Sequence, residues 1–110
     1  MISEKDIIEI NKAFNKSKVT NKGSLAYAVK TTTRSKNWLK TAAILTKGIL
    51  IDHAFEDGNK RTAAAVIMLI MDINNIQYNP EKIPKIIIKI LLKNMTNIKN
   101  IERCIKDGIA

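Results

Sequence analysis

One stretch of the chain concentrates side chains that can do chemistry. It holds the only histidine of the sequence, an acidic pair, a glycine and two adjacent cations. Its residues are His53-Ala54-Phe55-Glu56-Asp57-Gly58-Asn59-Lys60-Arg61-Thr62. Since helical patterns flank the stretch on both sides, we expect a turn that leads into the start of a helix. The free N–H groups at a helix start bind anions.

The residues around this turn suit a bound phosphate. Gly58 lets a phosphate approach the backbone closely. The first turn of the following helix adds an amide and two cations, which are Asn59, Lys60 and Arg61. The stretch therefore predicts a phosphate-binding turn at the mouth of a helix.

Two further residues suit the transfer of a phosphoryl or nucleotidyl group. Asp57 is a hard oxygen ligand of the kind that Mg²⁺ shares with phosphate oxygens. His53, at the end of the preceding helix, is placed to remove a proton from a hydroxyl near that phosphate. In this class of reaction, positioning and charge stabilisation provide most of the catalysis.

Taken singly, each of these residues has a structural explanation. A lone histidine on an apolar helix face, such as His53, is more often structural than catalytic. Asp57 before a helix is an ordinary N-cap, and Phe55 is an ordinary core anchor. It is the coincidence of these types within one short stretch that favours a functional site.

The stretch resembles the core motif of the Fic/Doc family, H-x-F-x-D/E-G-N-G/K-R, and matches it at every defined position. The resemblance implies an all-α bundle that binds ATP with Mg²⁺ at this loop and modifies a hydroxyl of a target protein. By position, His53 would be the general base, Asp57 the metal ligand and Phe55 the anchor of the loop. The phosphates would be held by Gly58, Asn59, Lys60 and Arg61.

Two positions favour the Doc-like branch of this family. The AMP-transferring branch usually has glycine where Lys60 stands and arginine where Ala64 stands. A lysine would crowd the space for the distal phosphates and an alanine cannot grip them, so a reversed nucleotide that presents its γ-phosphate is favoured. Gly58 departs from the branch, which tends to alanine there. The resemblance implies a toxin that phosphorylates a cytosolic protein such as a translation elongation factor, with AMP transfer as the alternative.

The resemblance also implies a flap before the motif, a short hairpin that pairs with the target. Residues 28–36, with three threonines, are the candidate, and a plain loop is an equal alternative. Many relatives carry a blocking helix with the pattern S/T-x-x-x-E-G/N. No Ser or Thr of this chain has a Glu four residues later. An inhibitor would therefore be a separate antitoxin protein.

Composition predicts a single soluble domain over residues 1–110. Hydrophobic residues form 45% and charged residues 26% of the chain, as in ordinary globular proteins. The longest apolar run, residues 63–71, is far shorter than the roughly 20 residues that span a bilayer. We see no signal-peptide pattern. The single cysteine, Cys104, is typical of a protein in the reducing cytoplasm, and we expect it to be a small buried hydrophobic residue.

The formal charge of +9 raises the question of an anionic partner. Residues 12–47 hold nine basic and no acidic side chains. The regular interleaving of aromatic and basic residues expected for stacking on bases is absent, which favours a solvated surface over a nucleic-acid patch. A non-catalytic basic binding module with a vestigial motif stays the alternative from a different functional class.

Hydrophobic periodicity predicts an all-α bundle of about five or six helices that positions the motif. Ser3 is the expected cap of the first helix, His53 the last residue of an inward stripe, and Gly108 the end of the last helix. Residues 15–24 have the composition of a loop, and Leu25 begins one or two possible helical turns. The expected helices cover about 4–14, 37–53, 59–74, 84–93 and 98–107.

Overall fold

Six α-helices make up most of residues 2–14 and 18–110, which are the residues that the computed structural model describes. Apart from two isolated β-bridges, these residues contain no strands, so the all-α prediction is confirmed. The third helix continues into a π-helical turn, Lys47–Ile51. The α-helices are α1 (Glu4–Phe14), α2 (Lys22–Thr32), α3 (Trp38–Thr46), α4 (Asn59–Ile73), α5 (Lys82–Leu92) and α6 (Ile98–Lys106).

Side-chain caps begin four of these helices. The hydroxyl of Ser3 accepts the N–H of Asp6 at 3.1 Å, and the Asp6 carboxylate accepts the N–H of Ser3 at 2.8 Å. This reciprocal pair is a capping box, and it confirms the predicted cap of α1. Asn21, Asn37 and Asn97 begin α2, α3 and α6 by accepting backbone N–H groups.

The hydrogen bonds from Ser3 lower the pKa of the Asp6 carboxyl from its usual 3.8. A carboxyl whose folded pKa is depressed stabilises the fold above its unfolded pKa, and this stabilisation is lost as pH falls through the folded pKa. We therefore expect Asp6→Asn to be slightly less stable than wild type at neutral pH, with the difference vanishing at strongly acidic pH. Urea unfolding of both proteins across this pH range measures the difference, and a constant gap at all pH values would contradict it.

Helix α4 is the centre of the bundle. It packs against α1, α3 and α5, while α6 packs against α3 and α5. This arrangement agrees with the nearly continuous apolar run in its sequence. The buried residues of α4 are Thr62, Ala63, Val66, Ile67, Ile70 and Met71. Cys104 is also buried, as predicted.

The predicted helix over residues 37–53 ends earlier than expected. In the π-helical turn the N–H of Asp52 bonds to the carbonyl of Lys47, and that of Ala54 to the carbonyl of Ile49, each five residues back. The wider turn breaks the 3.6-residue stripe on which the prediction rested. His53 consequently lies exposed after the helix, so its predicted inward position is wrong.

The predicted flap hairpin over residues 28–36 is also wrong, because α2 runs through the first two of the three threonines. The hydroxyl of Thr31 donates to the carbonyl of Tyr27 at 2.7 Å, and that of Thr32 to Val29 at 2.9 Å. These bonds to the preceding turn let β-branched residues remain helical.

Other element boundaries differ slightly from the predicted ones. Helix α2 begins at Lys22, inside the predicted loop 15–24, of which residues 15–17 lie outside the described part of the chain. Helix α5 begins two residues before Pro84, which still lies in its first turn. Among the described residues, none of the helices has the length and apolar character needed to cross a membrane.

Gly48 allows the π-helical turn to pack closely against α2. A Cβ at this position would lie 2.9 Å from the Cβ of Ala28, closer than two such atoms can approach. We expect Gly48→Ala to lower the free energy of unfolding by about 1–3 kcal/mol through overpacking. Gly23 is the matched control, since a Cβ there meets no atom within 4 Å, and Gly23→Ala should raise stability by about 0.4–1 kcal/mol. Thermal or urea unfolding measures both, and equal effects would contradict the close contact.

Candidate active site

A cleft of about 620 Å³ opens at the N-terminus of α4. It gathers six of the seven predicted site residues, whereas Phe55 lies in the core with 2% of its surface exposed. Leu50 and Leu91 add apolar walls; their sequence patterns placed both on inward helix faces but did not connect them to the site. The residues that line the cleft are Leu50, His53, Glu56, Asp57, Gly58, Asn59, Lys60, Arg61 and Leu91.

Among residues 2–14 and 18–110, no side chain caps the start of α4. Gly58 is the N-cap, with a φ of 77° in the left-handed region that glycine adopts without strain, and it makes no side-chain cap bond. Because Gly58 occupies the N-cap position, Asp57 is not an ordinary N-cap, and its carboxylate instead accepts the N–H of Gly58 at 2.7 Å. An uncapped helix start in a cleft is a suitable place for an anion.

Asn59 holds the loop that precedes it in place. Its side-chain oxygen accepts the N–H of Phe55 at 3.1 Å, and its Nδ2 donates to the carbonyl of Phe55 at 2.8 Å. This pair of bonds fixes the backbone of Phe55 over the start of α4, while the Phe55 ring anchors the loop in the core. The phosphate contact expected of Asn59 stays a prediction. In the structure its side chain bonds to the backbone of Phe55 instead.

Hydrogen bonds from Thr20 and Asn21, which directly precede α2, hold the backbone around His53. His53 has a φ of 50°, which is uncommon for residues other than glycine, although histidine adopts it more often than most, as do asparagine and aspartate. Its carbonyl accepts the hydroxyl of Thr20 at 3.0 Å. On either side of it, the carbonyl of Asp52 accepts Nδ2 of Asn21 at 2.9 Å and that of Ala54 accepts the N–H of Thr20 at 2.9 Å. Such a conformation persists where neighbouring contacts determine it, as they do here.

The extended segment 18–21 therefore lies beside the motif, in the place where the sequence led us to expect residues 28–36. Val19 forms an antiparallel bridge with Phe55, and the carbonyl of Lys18 accepts the N–H of Glu56 at 2.9 Å. Nothing in the polar composition of residues 18–21 indicated this pairing. A bridge of one residue pair leaves no alternating pattern to detect.

Asn11 also holds the cleft in shape, and the sequence did not lead us to expect this. It lies on α1 with no exposed surface. Its Nδ2 donates to the carbonyl of Asp57 and to the hydroxyl of Thr62, both at 3.0 Å. A signal was present, because Asn11 follows the buried Ile7 by four residues and so falls on the apolar stripe of α1. A polar residue on such a stripe needs a buried partner.

The sequence profile of the Fic/DOC family matches residues 2–71, well over half of the chain. The match spans the motif, Asn11 and the segment 18–21. The chain belongs to the Fic/DOC family. Members of this family are typically nucleotide-dependent transferases that modify proteins, and they generally bind ATP with Mg²⁺. Comparisons with curated proteins and with solved structures gave no match.

The Fic/DOC motif of this chain fits Mg²⁺ only as an ion shared with a nucleotide. Among residues 2–14 and 18–110, no three His, Cys, Asp or Glu side chains come together to form a metal site. Two carboxylates line the cleft, Glu56 and Asp57, and by the motif Asp57 would be the protein ligand. Mg²⁺ is commonly held in this way, by one or two carboxylates together with phosphate oxygens and water.

The charges of the cleft are arranged along the start of α4. Lys60 and Arg61 are both exposed there. The ion pairs found among the described residues involve Lys12 with Glu9 and Lys47 with Asp52, so neither cation of the cleft is engaged in one. Two such cations in the first turn of a helix, added to its dipole, make this end of the Fic/DOC cleft attractive to phosphates.

Proposed function

We propose that the protein transfers the γ-phosphate of ATP to a serine or threonine hydroxyl of another protein, as Doc-like toxins do. The observation that supports this is the position of Lys60, exposed in the cleft in the first turn of α4. Ala64 follows one turn later and offers no charge to distal phosphates. A nucleotide whose terminal phosphate points toward His53 fits these two residues better than one whose α-phosphate does.

In the proposed reaction, the hydroxyl oxygen of the target forms a bond to the γ-phosphorus as the bond to the β,γ-bridging oxygen breaks. ADP leaves, and the hydroxyl proton passes to His53. The N–H groups at the start of α4, with Lys60 and Arg61, stabilise the charge on the transferred group. Asp57 would hold Mg²⁺, which supplies further charge neutralisation when bound.

The experiment that tests this proposal incubates the protein with Mg²⁺, a cell lysate and ATP labelled on either the γ- or the α-phosphate. We expect label from the γ-position on serine or threonine of a protein, and none from the α-position. Lys60→Gly is a useful second protein, because it restores the space that Lys60 fills and should increase any transfer from the α-position. Label that arrives from the α-phosphate with wild type would overturn the kinase proposal.

AMP transfer to a protein hydroxyl is the second candidate, and Gly58 favours it. Doc-like proteins tend to alanine at this position, whereas glycine suits the AMP-transferring pattern. The same labelling experiment decides between the two candidates, since both use His53 but deliver different phosphates.

We further propose a cytoplasmic target such as a translation factor, and a separate antitoxin as the inhibitor. The Doc-like residues Lys60 and Ala64 motivate the target, and the lack of a blocking-helix pattern in the given sequence motivates the antitoxin. Expression of the protein should then slow growth, and co-expression of a small neighbouring reading frame should restore it. Unimpaired growth despite folded, expressed protein would argue against the toxin proposal.

A further inference from the structure

One buried amide group joins both sides of the proposed anion-binding turn. Nδ2 of Asn11 donates to the carbonyl of Asp57 and to the hydroxyl of Thr62. These acceptors lie one residue before and four residues after Gly58, the N-cap of α4. Asn11 itself belongs to α1, which packs against α4. The contact thus reaches the turn from outside the motif.

The bond to Asp57 determines which way the backbone of the turn faces. A trans peptide is planar, so the carbonyl of Asp57 and the N–H of Gly58 point in opposite directions. Because the carbonyl points toward the buried Asn11, the N–H of Gly58 points away from it. That N–H bonds to the Asp57 carboxylate at 2.7 Å, and Asp57 and Gly58 both line the cleft. The buried amide donor of Asn11 therefore fixes the orientation of the Gly58 N–H and, through it, of the Asp57 carboxylate.

We infer that Asn11 is a positioning residue, which by holding the Asp57 carbonyl orients the Asp57 carboxylate and sets the Mg²⁺ dependence of ATP binding. This inference rests on the proposed function, in which Asp57 meets Mg²⁺ and ATP. Asn11 touches neither and acts through Asp57. Partners that orient a metal ligand in this way typically change metal affinity by about 10–100-fold when they are removed.

A simpler role for Asn11 is to stabilise the packing of α1 against α4. The bond to Thr62 would do this without any influence on Asp57. The two roles predict different effects of Thr62→Val, which removes this bond with little change of volume and leaves the bond to Asp57 in place. Thr62→Val is therefore the matched control for Asn11→Leu.

The test measures ATP binding by isothermal titration calorimetry at increasing Mg²⁺ concentration, for wild type, Asn11→Leu and Thr62→Val. Circular dichroism establishes that each protein is folded. We expect the Mg²⁺ concentration for half-maximal ATP binding to rise at least about 10-fold in Asn11→Leu and to stay near the wild-type value in Thr62→Val. Equal shifts in both variants, or none in either, would overturn the inference and leave the proposed function standing. Wild type that binds no ATP at any Mg²⁺ concentration would overturn both.

A measurement on wild type covers the case in which Asn11→Leu does not fold. The side-chain amide resonances of Asn11 should exchange slowly with water, and they should shift in the NMR spectrum when Mg²⁺ and ATP are added together. If Asn11 only stabilised the packing of the helices, its amide resonances should exchange equally slowly but should not shift. Unchanged amide resonances in the presence of bound ATP would therefore overturn the inference.

Discussion

His53→Asn should abolish phosphate transfer while it preserves the fold. Removal of a general base typically lowers the rate by about 10²–10⁴-fold. His53 is exposed, so little packing is lost on substitution. Asparagine is a suitable replacement because it tolerates the left-handed backbone conformation that His53 adopts, with its φ of 50°. Transfer of label from ATP to protein measures the effect, and thermal unfolding shows whether the variant is intact.

His53→Ala is the informative companion to this variant. It removes the same imidazole, but alanine adopts the left-handed conformation less readily than asparagine does. Both variants should therefore be inactive, with His53→Ala the less stable of the two. Both should still bind ATP, because the anion-binding end of the cleft lies at the start of α4. Undiminished growth inhibition by the two variants would favour the non-catalytic basic module over the transferase.

Much of the helical scaffold could be predicted because its determinants are local. The bounds of α1 and α4 and the Ser3 cap of α1 are determined within single segments, and the structure agrees with them closely. The motif residues come together for the same reason. They are consecutive in sequence, so a turn between two helices is enough to bring their side chains to one cleft.

The residues that hold the cleft in shape do so through contacts between segments that are distant in sequence. Asn11 lies 46 residues before Asp57, and Thr20 lies 33 residues before His53. Hydrophobic periodicity says which face of a helix is buried, but it does not say which backbone group a buried amide will meet. The π-helical turn is equally hidden from local patterns, and its Gly48 lies close to Ala28 of α2, a contact between separate segments. These are the features that determine where His53 points.

Phe55→Ala should be the most destabilising substitution in the motif. The ring is buried in the core, and loss of a buried phenylalanine typically costs about 3–5 kcal/mol because a cavity remains. Natural domains of this kind have only about 5–15 kcal/mol of total stability, so the variant should be close to unfolding. Urea unfolding measures the loss of free energy. Phe14→Ala is the matched control, since Phe14 is 41% exposed and its removal should cost far less.

A comparison of Phe55→Ala with Asn59→Ala separates the stability of the fold from the geometry of the site. Phe55 is also the residue whose backbone N–H and carbonyl are both bonded to the side chain of Asn59. Asn59→Ala should remove these two bonds without opening a cavity of that size, so we expect a smaller loss of stability, about 1–3 kcal/mol. Its loss of ATP binding should be disproportionate to that change, because the loop is no longer fixed over the start of α4. If both variants lost binding only as far as they lost folded protein, the Asn59 clamp would contribute to the fold and not to the shape of the cleft.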